Sequence, residues 1–222
     1  VREPREDDLP WPDEIFDMEL EPEIRAELEA VGVVSGTIVK HLLSVQVLAE
    51  TDPEAAYQHA QRVRQRIPRL ALGRQTACIA AYRAGHFREA IKEESAYRRV
   101  TNKLDLVPMA ADSERGLGRP ERALALVAEF EGQKLDSDSR TELYIVAGGA
   151  REDLGDLDAA RMFLQKAVRA AKSPMATARS RFALGHLLMD TDPDQARKWL
   201  QSAAEADPDE IWTDAAELLE TM

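Results

Sequence analysis

The sequence predicts an all-α fold, an α–α superhelix of about five stacked helix–turn–helix pairs closed by a C-terminal capping helix. Three observations carry this. A small residue, a Gly seven positions later and an Ala five after that recur as Cys78–Gly85–Ala90, Ala111–Gly118–Ala123 and Gly148–Gly155–Ala160. The alanine phase extends to Ala56 and Ala196 with steps of 34, 33, 37 and 36 residues, the period of a helical-hairpin repeat. Finally, two turn chemistries occur at one register: Thr-Asp-Pro at 51–53 and 191–193, and Gly at positions 85, 118 and 155.

Each element follows from local chemistry. Residues 1–21 are acidic, contain Pro4, Pro10 and Pro12 and show no helical period, so an extended N-terminal tail is expected there. Glu21-Pro22-Glu23 opens a short helix and linker over 22–36, Pro and acids both suiting a first turn. The repeat array then occupies 37–208. Its expected pairs are Ile38–Glu50 with Glu54–Arg66, Leu70–Ala84 with Phe87–Val100, Leu106–Leu117 with Pro120–Phe130, Arg140–Leu154 with Leu157–Ala171, and Met175–Met189 with Asp194–Ala206. In the outer turns Asp caps and Pro fits the first helical position. In the inner turns Gly accepts a positive φ. Residues 209–222 hold the capping helix, expected at Ile211–Leu219.

Within a pair, small residues let two helices approach closely, and larger ones fill the space between pairs. Four residues beyond each repeat alanine stand Ala60, Glu94, Val127, Leu164 and Leu200; seven beyond stand Val63, Tyr97, Phe130, Ala167 and Ala203. Only Glu94 interrupts the apolar pattern. No pair buries its face alone, so stacking makes the core.

These residues resemble the tetratricopeptide repeat. The matching positions are Gly85, Phe87 and Ala90; Gly118 and Ala123; Gly155, Leu157, Ala160 and Ala167; and Ala196, Ala203 and Pro208. The signature Trp of the first helix is missing throughout. The segment from Ala110 to Ala123 and the Val146–Arg151 stretch look more narrowly like an uncharacterised actinobacterial tetratricopeptide-repeat family. The resemblance implies a cytoplasmic helical-repeat protein and brings no assigned activity; the leading expectation is a non-enzymatic protein-binding scaffold, ahead of an RNA- or ribosome-associated protein and of an enzyme of unrecognised type, with a groove lined by the first helix of each pair. Aligned on the repeat glycines, the groove positions are Gln75, Ile79, Tyr82 and Arg83, then Asp112 and Arg115, Glu152 and Asp153, and Arg181 and Leu188. Members that grip a terminal carboxylate use Lys and Asn on these helices. Here the matching places hold His41, Gln75 and Asp112, so such a clamp is not expected.

Net charge is −12, which disfavours nucleic acid and anionic membrane as general partners. The charge is uneven: residues 1–30 carry −9, 31–103 carry +6 and 190–222 carry −8. Arg62, Arg66 and Arg69 share a helical face and, with Arg98 and Arg99, form a candidate basic patch. That patch admits three readings: a solvated face, a dock for the chain's own acidic tail or an acidic partner, and an RNA- or ribosome-associated surface. Leu9, Trp11, Ile15 and Phe16 give the tail an apolar cluster with which to cap the array or compete for its groove.

Chemistry is not indicated. His41, His59, His86 and His186 are dispersed and show no zinc-ligand spacing. Val33–Thr37 lacks the Lys-Ser/Thr of a phosphate loop, and Gly148-Gly149 lies within a helical pattern, where close packing accounts for it. Cys78, the lone cysteine, reads as a small packing residue and fits a reducing compartment. No catalytic residue, metal ligand or cofactor site is assigned. No apolar stretch reaches the length of a membrane helix.

Overall fold

The computed structural model describes residues 9–30, 32, 35–68 and 70–222; all regular elements among them are helical. A 3-10 turn at Asp13–Asp17 precedes α1 (Pro22–Ala30), α2 (Gly36–Leu48), α3 (Pro53–Arg66), α4 (Ala71–Arg83) and α5 (Phe87–Thr101). Then come α6 (Val107–Gly116), α7 (Pro120–Phe130), α8 (Ser137–Asp153), α9 (Leu157–Ala170), α10 (Pro174–Leu188), α11 (Pro193–Ala206) and α12 (Ala215–Glu220). Neighbours pack as five consecutive hairpins, α2/α3 to α10/α11. The chain forms two compact units, residues 1–103 and 104–222.

The turns use the chemistry read from the sequence. Asp52 and Asp192 accept hydrogen bonds from the amides of Ala55 (3.0 Å) and Gln195 (3.1 Å). The equivalent Gly85, Gly118 and Gly155 sit at φ of 75°, 70° and 75°, a region that side chains with a Cβ rarely enter. The small positions are close contacts. Cys78 and Ala90 are fully buried, with Cys78 Sγ donating to the Ala90 carbonyl at 3.4 Å. A Cβ at Gly148 would fall 2.6 Å from Leu164. Helix α8 starts earlier than expected because Asp136 caps it, accepting from the Ser139 amide at 2.8 Å.

In the first unit the core joins Ile38, Leu42, Leu43, Val63, Ile67 and Leu72 to Leu28 of α1 and to Ile15 and Leu20. The described part of the segment expected to be an extended tail therefore does more than trail. Ile15 is 3% exposed, and burying such a side chain contributes about 1.5–3 kcal/mol, which holds the 3-10 turn against α2. Phe16 of the same turn stays exposed.

In the second unit Val107, Ala111, Val127, Phe130, Leu143 and Ala147 form one core cluster, and Leu164, Leu184, Leu188 and Ala196 another. The closing helix differs from expectation: α12 begins at Ala215, not Ile211. Asp207, at the end of α11, is almost fully buried. Its carboxylate accepts from the amides of Ile211 (2.9 Å), Trp212 (2.9 Å) and Thr213 (2.8 Å) and from the Thr213 hydroxyl (3.2 Å). Four donors wrapped around one carboxylate impose a loop, and Glu210 takes φ 52° to close it.

Candidate functional site

The second unit carries a groove of about 450 Å³. Arg115 enters it from the end of α6. Ile145, Gly149 and Glu152 come from α8, and Arg179, Phe182, Ala183 and His186 from α10. The α8 and α10 residues recur at three- and four-residue spacings, so each set is one helical face. The loop held by Asp207 supplies the remaining wall, Trp212, Thr213 and Asp214. A neighbouring cavity of about 290 Å³ shares Phe182, His186 and Asp214 and adds Glu217, Leu218 and Thr221.

Phe182, Ile145, Ala183 and Trp212 are half-buried and give the groove an apolar surface. Both arginines are already paired. Arg115 donates from Nε and Nη2 to the two oxygens of Asp153 (2.8 and 3.2 Å) and from Nη1 to Asp112 (2.9 Å). Burial alone would lower the Arg115 pKa; the Asp153 hydrogen bond and the two carboxylate charges reverse this and raise it. Arg179 makes a two-pronged contact with Glu142 at 2.6 and 2.9 Å. Gly149 makes room for the first arginine, since a Cβ there would lie 2.5 Å from the Arg115 guanidinium carbon. Close helix packing thus accounts for Gly148, and seating of Arg115 accounts for Gly149.

Of the predicted groove residues, Arg115 and Glu152 line this groove and Asp112 anchors Arg115. Arg181 points elsewhere: its Nη1 donates to the carbonyl and hydroxyl of Ser202 on α11 (3.1 and 2.9 Å). Leu188 is buried in the core. In the first unit, Arg83 pairs with Glu50, the Tyr82 ring lies 6.1 Å from Phe87, and Gln75 and Ile79 are half-buried on α4. A cavity in that unit, about 170 Å³, is lined instead by Tyr57, Gln61, Arg64, Gln65, Ala77, Glu89, Lys92 and Glu93. Of the residues lining this groove, the sequence points only to Arg115 and Glu152; Arg179, Phe182, His186, Trp212 and Asp214 are among those it does not reveal.

Part of the basic stretch is neutralised. Glu93, 5% exposed, accepts from Arg64 Nε at 2.9 Å and Arg74 Nη1 at 2.8 Å. Glu94, the exception in the apolar pattern, is buried and accepts from Arg98 Nε at 3.0 Å. Arg62 and Arg66 are half-buried on α3 and near enough to His41 to disfavour its protonation. Arg99 is exposed, and Arg69 lies outside the described residues. The tail meets this unit through aromatic contact: the Trp11 ring lies 4.7 Å from His41 and 5.4 Å from His59. Lys40 sits over both Trp11 and Phe16, at 5.6 and 5.1 Å.

Among the described residues no three His, Cys, Asp or Glu side chains gather as a metal site would require, and no helix is long and apolar enough to cross a membrane.

A sequence model described as Tetratricopeptide repeat matches residues 141–174, the hairpin of α8 and α9. The chain also shares its fold with solved structures. A thermophilic tetratricopeptide-repeat protein from Thermus thermophilus superimposes with a TM-score of 0.63 at 20% identity, over 81% of this chain and 94% of that one. MamA from Desulfovibrio magneticus RS-1 does so with a TM-score of 0.53 at 14% identity, over 80% and 98% of the two chains. A search of curated protein sequences finds no match. The protein thus has the fold of tetratricopeptide-repeat proteins, and the family model matches one of its hairpins.

Proposed function

We propose that this protein is a non-enzymatic, cytoplasmic scaffold of an actinobacterial type, which binds an extended segment of a partner protein in the groove of its second unit. The observation that carries this is a concave surface whose apolar floor, Ile145, Phe182 and Trp212, is left half-open while its arginines are already paired. A groove of several hundred Å³ with a few fixed polar groups is the usual form of a ligand site. The lone buried Cys78 supports a reducing compartment. The buried Glu94 holds Arg98, one of the five patch arginines, which reduces the charge that patch offers to RNA.

The test is crosslinked capture of partners from the native host, comparing the wild type with Phe182→Ser. Loss of specific partners in the variant, with its melting behaviour unchanged, is the expected result. Capture that is indifferent to Phe182 but sensitive to salt, and lost on reversing the charges of Arg62 and Arg66, would transfer the function to RNA.

A further inference from the structure

We infer that the segment bound in this groove presents a lysine or arginine beside a bulky apolar side chain. The inference rests on the groove reading above and adds the chemistry of the ligand.

The charge balance of the groove leads to it. Arg115 and Arg179 have their guanidinium groups committed to Asp112, Asp153 and Glu142. Among the described residues, by contrast, the carboxylates of Glu152 and Asp214 have no hydrogen-bond or ion-pair partner. Asp214 stands at the position before α12 where a side chain could cap the helix, and makes no such bond. Glu217, in the adjoining cavity, is likewise unpartnered. The available charge of the groove is therefore negative, although two arginines line it. Its C-terminal wall also belongs to residues 190–222, which carry net −8. An acidic ligand, the chain's own N-terminal segment included, meets like charge here.

The apolar neighbour follows from the floor. Phe182 and Trp212 offer ring surface close to the free carboxylates. A lysine or arginine can lay its methylene stem on such surface while its head meets a carboxylate, and a cation over an indole face gains further attraction. The wall is held in place before binding, because the Asp207 carboxylate holds the Trp212 and Thr213 amides. Such preorganisation lowers the entropy lost on binding.

The test uses the full chain and a phage-displayed library of random nonapeptides. Enriched sequences should pair Lys or Arg with Leu, Ile, Phe or Trp. Their synthetic, fluorescein-labelled versions should bind the Glu152→Gln/Asp214→Asn double variant about tenfold more weakly by anisotropy, the effect expected for charge pairs at a groove rim. Reversal to lysine at both positions should abolish binding. Circular dichroism and melting curves matching the wild type establish that the variants fold. Enrichment of acidic or uncharged peptides whose binding is lost in Phe182→Ser would overturn the cation requirement and leave the groove reading standing. Failure to enrich any Phe182-dependent peptide would overturn both.

Discussion

His41 Nδ1 lies 2.8 Å from His59 Nδ1, a hydrogen bond between two fully enclosed imidazoles on α2 and α3 with the Trp11 ring against both. Such a bond needs one ring nitrogen protonated and the other bare. His59 also donates to the Pro10 carbonyl. With Nδ1 facing His41, its other nitrogen serves that carbonyl, and His41 supplies the shared proton. A second proton on His59 would occupy the accepting Nδ1 and end the arrangement, whereas on His41 it would fall on Nε2, which is buried without a hydrogen-bond partner.

This predicts a specific acid sensitivity. Burial first, then His59, Arg66 and Arg62, lower the His41 pKa from 6.5 to about 4. Burial also lowers that of His59, against the opposing pull of the Pro10 carbonyl. Between pH 6.5 and about 4 the unfolded chain thus binds more protons than the folded one, so stability is fully present above 6.5 and falls as pH drops through this window. The loss from His41 alone is roughly 3 kcal/mol. Urea unfolding across this range should show the slope, His41→Gln should remove most of it, and a slope unchanged in that variant would refute the assignment.

A second acid-sensitive element should appear at lower pH. Burial would raise the Asp207 pKa, but the amides of Trp212, Ile211 and Thr213 and the Thr213 hydroxyl more than offset this and hold it below 3.8. Its contribution is present above 3.8 and is lost as pH falls through the lower folded value. Asp207→Ala leaves those donors without their acceptor and should cost about 2–3 kcal/mol. It should also alter the near-ultraviolet dichroism of Trp212, because the groove wall loses its anchor. A variant of wild-type stability and spectrum would show that the loop holds itself.

The hairpins were legible because their causes are local: a Gly needing positive φ, an Asp-Pro cap, and a small residue at each crossing. The groove was legible only in part. From Ile145, Gly149 and Glu152 to their counterparts Arg179, Ala183 and His186 the offset is 34 residues. Between the buried alanines Ala160 and Ala196 it is 36. The turn between α10 and α11 has no glycine to align on, so the repeat register carried into this hairpin falls two residues too far along α10, on Arg181 and Leu188. Two residues along a helix turn the side chain by about 200°, from the groove to the face packed on α11. Trp212 was out of reach for another reason. It comes from a loop with no repeat register, shaped by the hydrogen bonds of one carboxylate. Glu94 broke the pattern because no periodicity reveals that Arg98, four residues on, will neutralise it.

Glu93 offers a test of how the arginine-rich stretch is used. Its carboxylate is nearly enclosed, while Arg64 and Arg74 remain partly in water. Replacing Glu93 by Ala removes the acceptor of both guanidinium groups and should cost about 1–2 kcal/mol, less than a wholly buried pair because water re-solvates the arginines. A double-mutant cycle with Arg74→Ala, read by thermal unfolding, should give a coupling of about 1 kcal/mol. Strict additivity would mean that the contact contributes nothing and that Arg74 is available to an outside anion.

The adjacent glycines of α8 should respond in opposite ways. An alanine replacing glycine inside a helix gains about 1 kcal/mol from propensity alone. At Gly148 the new methyl meets the Leu164 side chain at 2.6 Å, with the Ala160 carbonyl 3.4 Å away. Leu164 is itself buried, so the two helices must part, and overpacking of this kind costs about 1–3 kcal/mol. Gly148→Ala should therefore be net destabilising. At Gly149 the obstruction is the far end of Arg115, a flexible side chain at the groove surface. The guanidinium can swing away, which weakens its contacts with Asp112 and Asp153 but leaves the helix packing intact. Gly149→Ala should thus keep or slightly raise the melting temperature while changing groove binding, as should Arg115→Ala. Equal destabilisation by both alanines would place Arg115 in the packing of the hairpin and remove it from the groove.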